Sequence, residues 1–301
     1  MTEPLPPQRD VQARIEQLWI YPVKSCAGVS VREAMLTDTG LDLDRAWMVV
    51  DKEGEFVSQR ELPRMALIRP QLKASEVVLR APGMLALHLQ IDVVETAVRV
   101  RVWDDEVAAY DMGDLAAQWF SDFLAPDTAR GVRQALPYRL VRFDPDHRRL
   151  SDRKWTGAVE APNQFSDGFA VLVTSVASLD NLNQRLQSQG HAPVTMERFR
   201  PNIVLGGVVE HDEDRLASLH VATAQGTAEL RLVKPCARCP IPDIDPLTAT
   251  SSPQVGDTLQ TYRQDTRVGG AITFGMNAIV ISGVDYTLQL GQAVAADYRF
   301  D

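Results

Sequence analysis

Two of the chain's three cysteines, Cys236 and Cys239, lie in a short proline-rich segment that runs from Lys234 to Pro246. A strand-like run precedes this segment, and its prolines exclude a helix after Cys239. A CxxC redox motif usually has its first cysteine at the N-terminus of a helix, so redox exchange between the two thiols fits poorly here. A rigid loop fits better, in which Lys234 and Arg238 favour one thiolate, the form of cysteine that binds metals.

A second set of residues could hold an anion. Lys24 and Ser25 follow a predicted strand and precede a glycine turn, where an ammonium, a hydroxyl and backbone amides suit a phosphate. The segment lacks the first glycine and the helix of a Walker A loop, and an exposed turn lysine is the alternative. Arg45, Arg60 and Arg64 add guanidinium groups that suit oxyanions. The alternative for each arginine is a surface salt bridge with a neighbouring carboxylate.

Polar residues also stand before two predicted strands. Asn202 opens one of them just after Arg200, and its amide can both donate to and accept from the edge of a heterocycle. Turn formation or capping is the commoner role for an asparagine at such a place. Ser166, Asp167 and Gly168 precede the other strand. Asp167 could contact a ligand or form an Asx turn with Gly168, and both interpretations stay open.

The composition is that of a globular protein, with 301 residues of which 45% are hydrophobic and 24% are charged. The formal net charge of −9 argues against nucleic acid or an anionic membrane as the main partner. The first ten residues contain no apolar signal segment, and no run approaches the roughly 18 apolar residues of a spanning helix. With three unevenly spaced cysteines, these features predict a cytoplasmic protein that is not bound to a membrane.

The sequence lacks the residues that several classes of cofactor need for binding. Three cysteines cannot supply the four ligands of an ordinary 2Fe–2S cluster. No GxGxxG motif follows a predicted strand, which argues against a nicotinamide or flavin bound by a Rossmann fold. The five histidines show no ligand spacing, and a zinc site on the two neighbouring cysteines would need a second pair of ligands.

Apolar periodicity predicts the elements that must position these residues. Strands are predicted at residues 16–21, 45–51, 55–59, 65–72, 76–79, 85–91 and 96–103, and later at 138–143, 169–174, 202–205, 228–233, 259–262, 278–281 and 287–290. Helical spacing predicts one helix over 113–123 and another that Ser175 or Ser178 caps and that ends near Gly190. Residues 125–137 could form a domain boundary, and 144–167 a long loop. Many short strands with few helices predict a mainly β (α+β) protein of barrels or a sandwich.

Five motifs, taken in order, resemble the MOSC-domain family, in the branch with an N-terminal β-barrel domain ahead of the MOSC domain. The motifs are YPVKS at 21–25, DRAW at 44–47, SD at 166–167, FRPN at 199–202 and CARC at 236–239. This branch includes the mitochondrial amidoxime reducing component and bacterial reductases of N-hydroxylated compounds. The resemblance implies an N-terminal MOSC β-barrel domain at residues 11–135 and a MOSC β-barrel domain at residues 136–300.

The resemblance also implies a molybdenum cofactor (Mo-molybdopterin), whose metal is held by a pterin dithiolene and one protein cysteine. Cys239 matches that cysteine, with Arg238 beside it, and a soft thiolate suits such a metal. Further residues match family positions: Lys24, Ser25 and Arg45 at the pterin phosphate, Arg200 and Asn202 at the pterin, and Ser166, Asp167 and Gly168 near the metal and substrate. Cys239 and Asp167 are the expected catalytic residues, Asp167 for handling a proton or orienting the substrate. The family is also associated with pyridoxal phosphate binding.

The predicted function is therefore a molybdoenzyme that reduces N–OH or N–O bonds of small N-hydroxylated compounds by two electrons. The sequence carries no motif for binding a nicotinamide, a flavin or an iron–sulfur cluster. An external electron donor is therefore expected: a flavoprotein reductase, a ferredoxin or a cytochrome. The alternative function is a carrier of molybdenum cofactor, or of sulfur as a cysteine persulfide, that turns over no substrate. The SD motif continues as Gly168-Phe169 where relatives often have hydroxyl residues, so some pterin contacts are expected from the backbone.

Overall fold

The computed structural model of the protein describes residues 9–93, 96–124 and 137–300. Strands make up 42% of the structure, and the described part contains four α-helices. Many strands bury only one face, as the run Leu87–Gln90 does with its two leucines, because successive side chains of a strand point to opposite sides. The predicted fold class, mainly β with a few helices, is confirmed.

Seven strands of the largest sheet close into a barrel. In barrel order they are β12 (Val171–Ser175), β13 (Ile203–Gly206), β1 (Val11–Ile20), β19 (Ala293–Tyr298), β14 (Leu216–Thr223), β15 (Gly226–Ala237) and β17 (Ala271–Ser282). The pairing of β17 with β12 closes the ring. Two short strands extend the sheet, β2 (Val29–Val31) beside β1 and β16 (Gln264–Asp265) beside β17. Ile15, Leu219 and Leu230 are fully buried in its core.

Three smaller sheets surround the barrel. The four-stranded sheet has the order β5 (Trp47–Asp51), β11 (Tyr138–Phe143), β10 (Asp105–Asp111), β9 (Thr96–Val102). The two three-stranded sheets are β6 (Arg69–Leu72), β7 (Glu76–Arg80) and β8 (Leu87–Gln90), and β18 (Thr287–Gln289), β3 (Glu33–Thr37) and β4 (Gly40–Leu41). A separate apolar cluster holds the N-terminal sheets together around the buried rings of Trp47, Phe120 and Phe123.

Strand pairing crosses the predicted domain limit at residue 136 in both directions. Strand β1 pairs with β13 and β19, so the first strand of the chain is part of the barrel formed by the C-terminal half. Strand β11 pairs with β5 and β10 of the N-terminal half. The exact domain limits stay a prediction, and residues 125–136 of the predicted boundary loop lie outside the described residues.

The helices are few and short. The α-helices are α1 (Gly113–Leu124), α2 (Arg153–Thr156), α3 (Val176–Ser188) and α4 (Gln254–Gln260). Single 3₁₀ turns occur at Pro63–Leu67, Met196–Phe199, Asp212–Arg215, Ile241–Asp243 and Thr266–Val268. The two predicted helices correspond to α1 and α3, and the Oγ atom of Ser175 caps α3 by accepting a hydrogen bond from the backbone N–H of Ser178 over 3.2 Å.

Two predicted strands are wrong. Residues 259–262 form the end of α4 and the turn after it, because Val255 and Leu259, one helical turn apart, are both buried in an apolar cluster beside α3. Residues 55–59 make only isolated bridges, at Glu55 and Phe56. In both cases a short run of mixed apolar and polar residues does not specify the element, and its tertiary partners decide the structure.

Five connecting segments meet where one end of the barrel lies against the four-stranded sheet. They are residues 21–28, 42–46, 163–170, 199–202 and 236–241. Backbone hydrogen bonds tie these segments together, since the carbonyl of Tyr21 accepts from the N–H of Arg45 over 2.8 Å and the carbonyl of Arg45 accepts from Phe165 over 3.2 Å. The loops therefore hold one another in place.

Candidate active site

One cavity at this junction is lined by all ten residues that the family resemblance matched to cofactor-binding positions. They are Lys24, Ser25, Arg45, Ser166, Asp167, Gly168, Arg200, Asn202, Arg238 and Cys239. The cavity holds about 800 Å³ of empty space, counting its open mouth. The fold thus brings together segments up to about two hundred residues apart. The specific roles of these residues stay predictions.

Lys24 is buried at the base of the cavity and is only 5% exposed, so the alternative of an exposed turn lysine is wrong. Its ammonium donates hydrogen bonds to the carbonyl of Phe165 over 2.8 Å and to Oδ1 of Asp167. Burial lowers the pKa of Lys24, and the Asp167 carboxylate opposes that effect. Lys24 therefore anchors the loop that precedes β12.

Asp167 presents its carboxylate at the cavity mouth, where the side chain is 70% exposed. Its Oδ1 atom accepts hydrogen bonds from Lys24 and from the indole N–H of Trp103, the latter over 3.3 Å. Partial desolvation acts to raise the pKa of Asp167, but the cations Lys24, Arg45 and Arg60 outweigh it and hold that pKa well below its usual range. The carboxylate is therefore ionised at neutral pH.

Two guanidinium groups lie over the ring of Tyr21. The Cζ atoms of Arg45 and Arg200 are 4.3 Å and 4.4 Å from its centroid, within cation–π range. Arg45 also pairs with the buried carboxylate of Asp44, as the salt-bridge alternative expected, and donates to the carbonyl of Arg200 over 3.1 Å. Arg200 donates to the carbonyl of Cys26 over 2.6 Å. The aromatic ring and these bonds fix both cations at the cavity wall.

Three cavity residues other than glycine have left-handed backbone conformations. The φ angles of Ser25, Arg45 and Arg200 are +66°, +52° and +58°. Such conformations are uncommon for residues with a Cβ atom, and they concentrate at sites where the surrounding structure enforces them. Here the enforcing contacts include the bond from the Gln59 side chain to the carbonyl of Ser25 over 2.9 Å. Local backbone strain is thus stored in the segments that carry the cations.

Asn202 lines the cavity, but its amide group is already engaged by the backbone. Its Oδ1 accepts from the N–H of Leu172 over 3.1 Å, and its Nδ2 donates to the carbonyl of Trp19 over 3.3 Å. The side chain is 2% exposed and bridges the strands on either side of it. This geometry favours the structural alternative for Asn202, although a pterin contact stays a prediction.

The two cysteines of the CARC motif both line the cavity and are half-buried. Arg238 donates from Nη1 to the Sγ atom of Cys236 over 3.0 Å and from Nη2 to the carbonyl of Phe199 over 2.9 Å. Arg238 thus contacts the thiol of the first cysteine, and its expected place beside a metal on Cys239 stays a prediction. Cys236 lies at the end of β15, and side chains two residues apart in an extended segment point to the same side, which brings Arg238 to this thiol.

Lys234 does not take the predicted position beside the thiols. Its ammonium lies 5.4 Å from the ring centroid of Trp155 and 5.6 Å from that of Phe169. Regular alternation would place Lys234 and Cys236 on the same side of β15, but the strand is irregular between Leu232 and Lys234 and again between Pro235 and Ala237.

The sequence analysis missed Arg149, which organises the loop around Asp167. This arginine is 6% exposed, and its Nη1 donates to the side chain of Asn163 and to the carbonyls of Gln164 and Ser166 over 2.6 to 2.8 Å. Its Nε donates to Asp105 over 2.7 Å, which links this loop to the four-stranded sheet. The pair Arg148-Arg149 within the long polar loop was the only sequence signal.

Arg60 and Trp103 lie next to each other beside Asp167, on the side of the N-terminal sheet. Arg60 lines the cavity, and its guanidinium lies 4.6 Å from the ring of Trp103. Arg64, which the sequence grouped with Arg60, lies instead over the ring of Phe123 at 4.7 Å. Trp103 carried no signal in the sequence, because a single tryptophan in a turn has no motif around it.

The electrostatics of the cavity suit an anionic group. Five cations line it (Lys24, Arg45, Arg60, Arg200 and Arg238), and Asp167 is the carboxylate among its described lining residues. Burial and repulsion from Arg45 lower the pKa of Arg200 to about 10. The buried Nε atom of Arg238 has no hydrogen-bond partner among the described residues. A phosphate would satisfy these donors, and Cys239 offers a thiolate for a metal.

The described residues hold no cluster of three or more histidine, cysteine, aspartate or glutamate side chains that could bind a metal ion. In the described part of the chain, no helix has the length and apolarity needed to cross a membrane.

Comparison with known proteins agrees with this geometry. Residues 12–127 match the MOSC N-terminal beta barrel domain, and residues 160–295 match the MOSC domain. The chain is 36% identical over 259 residues to mitochondrial amidoxime-reducing component 1 of Homo sapiens, covering 83% of this chain and 72% of that protein. It is 33% identical over 258 residues to the human mitochondrial amidoxime reducing component 2, with the same coverage.

A solved structure covers nearly the whole chain at low similarity. The YUAD protein from Bacillus subtilis aligns with 96% of this chain and 98% of its own, at 12% identity and a TM-score of 0.37. A similarity of that size carries no conclusion about function.

Proposed function

The chain belongs to the family of MOSC proteins with an N-terminal MOSC barrel domain, and we propose that it is a molybdenum-cofactor-dependent reductase of N-hydroxylated compounds. The main support is the cavity itself, in which five cations, an ionised Asp167 and a half-buried Cys239 face a common space. The names of the relatives indicate amidoximes as one substrate class.

The residues present fit the cofactor that the family implies. Lys24, Ser25 and Arg45 would hold its phosphate, Arg200 would contact the pterin, and the thiolate of Cys239 would bind the metal. When bound, the cofactor supplies a metal that changes its oxidation state by two and can thereby break an N–O bond. A bound pyridoxal phosphate, the other group associated with the family, stays a prediction.

The overall reaction is a two-electron reduction. An amidoxime, R–C(NH2)=N–OH, takes up two electrons and two protons and yields the amidine, R–C(NH2)=NH, and one molecule of water. The electrons come from an external donor, which we propose to be a flavoprotein reductase, a ferredoxin or a cytochrome. We propose neither nucleic acid nor a membrane as a partner, and a cytoplasmic location stays a prediction.

Lys24 and Asp167 form one hydrogen-bonded ion pair at the position proposed for the substrate. Because Asp167 is held ionised by its cationic neighbours, its carboxylate accepts hydrogen bonds from the substrate and does not donate a proton at neutral pH. The ammonium of Lys24 contacts Oδ1 of that carboxylate, and its own pKa is lowered by burial. Lys24 Nζ therefore acts on Asp167 as the hydrogen-bond donor that fixes the orientation of its carboxylate.

A carrier of cofactor or sulfur is the second candidate function, and one contact favours it. The Sγ atom of Cys236 lies in the same cavity and accepts a hydrogen bond from Arg238 over 3.0 Å. A guanidinium in that position would stabilise a thiolate or persulfide anion on Cys236. A carrier would retain the cofactor or sulfur and pass it to another protein without converting a substrate.

One experiment separates the two functions. The purified protein is loaded with molybdenum cofactor, reduced chemically, and mixed with benzamidoxime, while benzamidine is measured by chromatography. Formation of benzamidine that depends on molybdenum content supports the reductase. Retention of the cofactor without benzamidine, together with transfer of the cofactor to an apo-enzyme, supports the carrier. Absence of molybdenum after loading contradicts the reductase and the cofactor carrier and leaves only the carrier of sulfur.

A further inference from the structure

Trp103 occupies a backbone position that favours glycine. It is the first residue of the two-residue loop between β9 and β10, where Val102 pairs with Asp105. Its φ is +56°, and Asp104 is not among the described residues with positive φ. A positive φ at the first loop position alone is the pattern of a type II′ turn, in which glycine is preferred. A left-handed conformation is a genuine outlier for a bulky residue.

The ring of Trp103 makes three contacts, two of them with the cavity-lining residues Asp167 and Arg60. Its indole N–H donates to Oδ1 of Asp167 over 3.3 Å, the Arg60 guanidinium lies 4.6 Å from the ring, and Phe56 packs against it with centroids 4.9 Å apart. The tryptophan is nevertheless 40% exposed. A turn that would be easier to form with glycine thus carries an aromatic side chain that reaches across to the barrel domain.

The contact with Asp167 decides which carboxylate oxygen is available. Lys24 and Trp103 both donate to Oδ1, and no hydrogen bond from a described residue reaches Oδ2. The side chain stays 70% exposed and lines the cavity. Two donors on one oxygen fix the carboxylate's orientation and leave Oδ2 as an ionised acceptor for a ligand.

We propose that Trp103 is a positioning residue for substrate selection. By holding Oδ1 of Asp167 it keeps Oδ2 ready to accept a hydrogen bond from the amino group that lies beside the N–OH group in amidoximes and N-hydroxyguanidines. A site built around such an acceptor discriminates against analogues without the donor, because the acceptor is then left unpaired. This inference rests on the proposed reductase function and adds its substrate preference.

The test compares two substrates that differ only in that amino group. Benzamidoxime has it, and benzaldoxime has a hydrogen in its place. The Trp103→Phe variant keeps an aromatic ring and loses the N–H donor. We expect kcat/KM for benzamidoxime to fall about 10-fold and kcat/KM for benzaldoxime to change less than about 2-fold, as the loss of one charge-assisted hydrogen bond predicts. Trp155→Phe is the matched control, since Trp155 contacts Lys154 and Lys234, and we expect no such selectivity change.

Stability measurements exclude a merely structural role. Trp103→Gly removes the aromatic contacts but relieves the left-handed strain, so its Tm should stay within about 2 °C of the unsubstituted protein while its benzamidoxime activity falls at least as far as that of Trp103→Phe. A fall in Tm of more than about 4 °C in Trp103→Gly would show that the tryptophan serves the fold. An equal loss on both substrates, or no loss, in Trp103→Phe overturns the inference.

A binding measurement separates this inference from the proposed function. Benzamidine retains the amino group, and its Kd is measured by calorimetry on the cofactor-loaded protein. If the unsubstituted protein reduces neither substrate, the reductase proposal fails, and a Kd about 10-fold weaker in Trp103→Phe would still support recognition of the amino group. An unchanged Kd then overturns the inference as well. If the unsubstituted protein reduces benzamidoxime and Trp103→Phe shows no selectivity, only the inference fails.

Discussion

The guanidinium of Arg238 donates a hydrogen bond to the Sγ atom of Cys236 over 3.0 Å, two residues before it in the chain. The other thiol of the motif, on Cys239, lines the same cavity just before the turn at Ile241–Asp243. The two cysteines are therefore chemically distinct, with one sulfur bound by a cation and the other available as a ligand.

This distinction predicts different results for the two serine variants. Cys239→Ser should lower benzamidoxime reduction by more than about 100-fold and change the Mo(V) EPR signal, because it removes the proposed protein ligand of the metal. Cys236→Ser should keep at least about half of the activity, since a serine hydroxyl can also accept from Arg238. The opposite pattern would show that the metal binds Cys236 and that the proposed ligand, Cys239, is wrong. Loss of cofactor transfer only in Cys236→Ser would support the carrier function.

Lys24→Met tests the anion site. The substitution removes the buried ammonium and leaves Asp167 without its nearest cation, so the pKa of Asp167 should rise toward its usual range. We expect molybdenum retained after gel filtration to fall about 10-fold, as loss of a charge-assisted phosphate contact predicts. Arg64→Met is the control, because it removes the same charge from a residue over Phe123, and its molybdenum content should equal that of the unsubstituted protein.

Asn202→Asp tests whether that amide serves the fold. The change replaces the Nδ2 donor by an oxygen that faces the carbonyl of Trp19 in a buried site, at an expected cost of about 2 kcal/mol in the free energy of unfolding. Asn277→Asp is the control, since Asn277 makes one described side-chain bond, to the carbonyl of Lys234, and is half-buried; its cost should stay below about 1 kcal/mol. Urea unfolding of the cofactor-free protein measures both. Equal stability of Asn202→Asp and the unsubstituted protein would contradict the structural role.

The raised pKa of the buried Glu213 side chain determines a predicted dependence of the free energy of unfolding on pH. Burial raises its pKa to about 7, although hydrogen bonds from Ser178 and Ser175 act in the opposite direction and Asp214 adds to the increase. Between the ordinary value of 4.5 and pH 7 the folded state binds more protons than the unfolded state, so stability falls as pH rises through this range. Above pH 7 the free energy of unfolding is therefore lower by about 3 kcal/mol than it is at a pH below the ordinary pKa of glutamate.

Glu213→Gln should remove this loss. Its side-chain amide is uncharged at every pH and can accept from one serine hydroxyl and donate to the other. We expect the variant to be more stable than the unsubstituted protein at pH 8, and the two to converge near pH 5. Glu210→Gln makes the same substitution at an exposed position three residues earlier and should leave the pH profile unchanged. A profile of Glu213→Gln that parallels the unsubstituted one would contradict the assigned pKa.

Much of the fold class follows from local patterns. Alternation predicted most strands, and helical spacing predicted α1 and α3, because each of these elements buries one continuous face. The pattern failed at residues 259–262, where four apolar and polar residues suit a strand or a helix equally and only contact with α3 selects the helix. It also could not reveal that β1 completes a barrel whose other strands lie in the C-terminal half.

The candidate site, like the fold, was predicted from the sequence only in part. Residue types and motif order alone identified the cations, the carboxylate and the thiols that line one cavity, because binding an anion and a thiophilic metal requires those groups. The partners of each group were decided by the tertiary structure: Arg238 for Cys236, the backbone for Asn202, two aromatic rings for Lys234 and Trp103 for Asp167. The physical reason is that hydrogen bonds and cation–π contacts depend on directions and distances of a few ångströms, which residues far apart in the chain acquire only when the barrel closes and the N-terminal sheet packs against it.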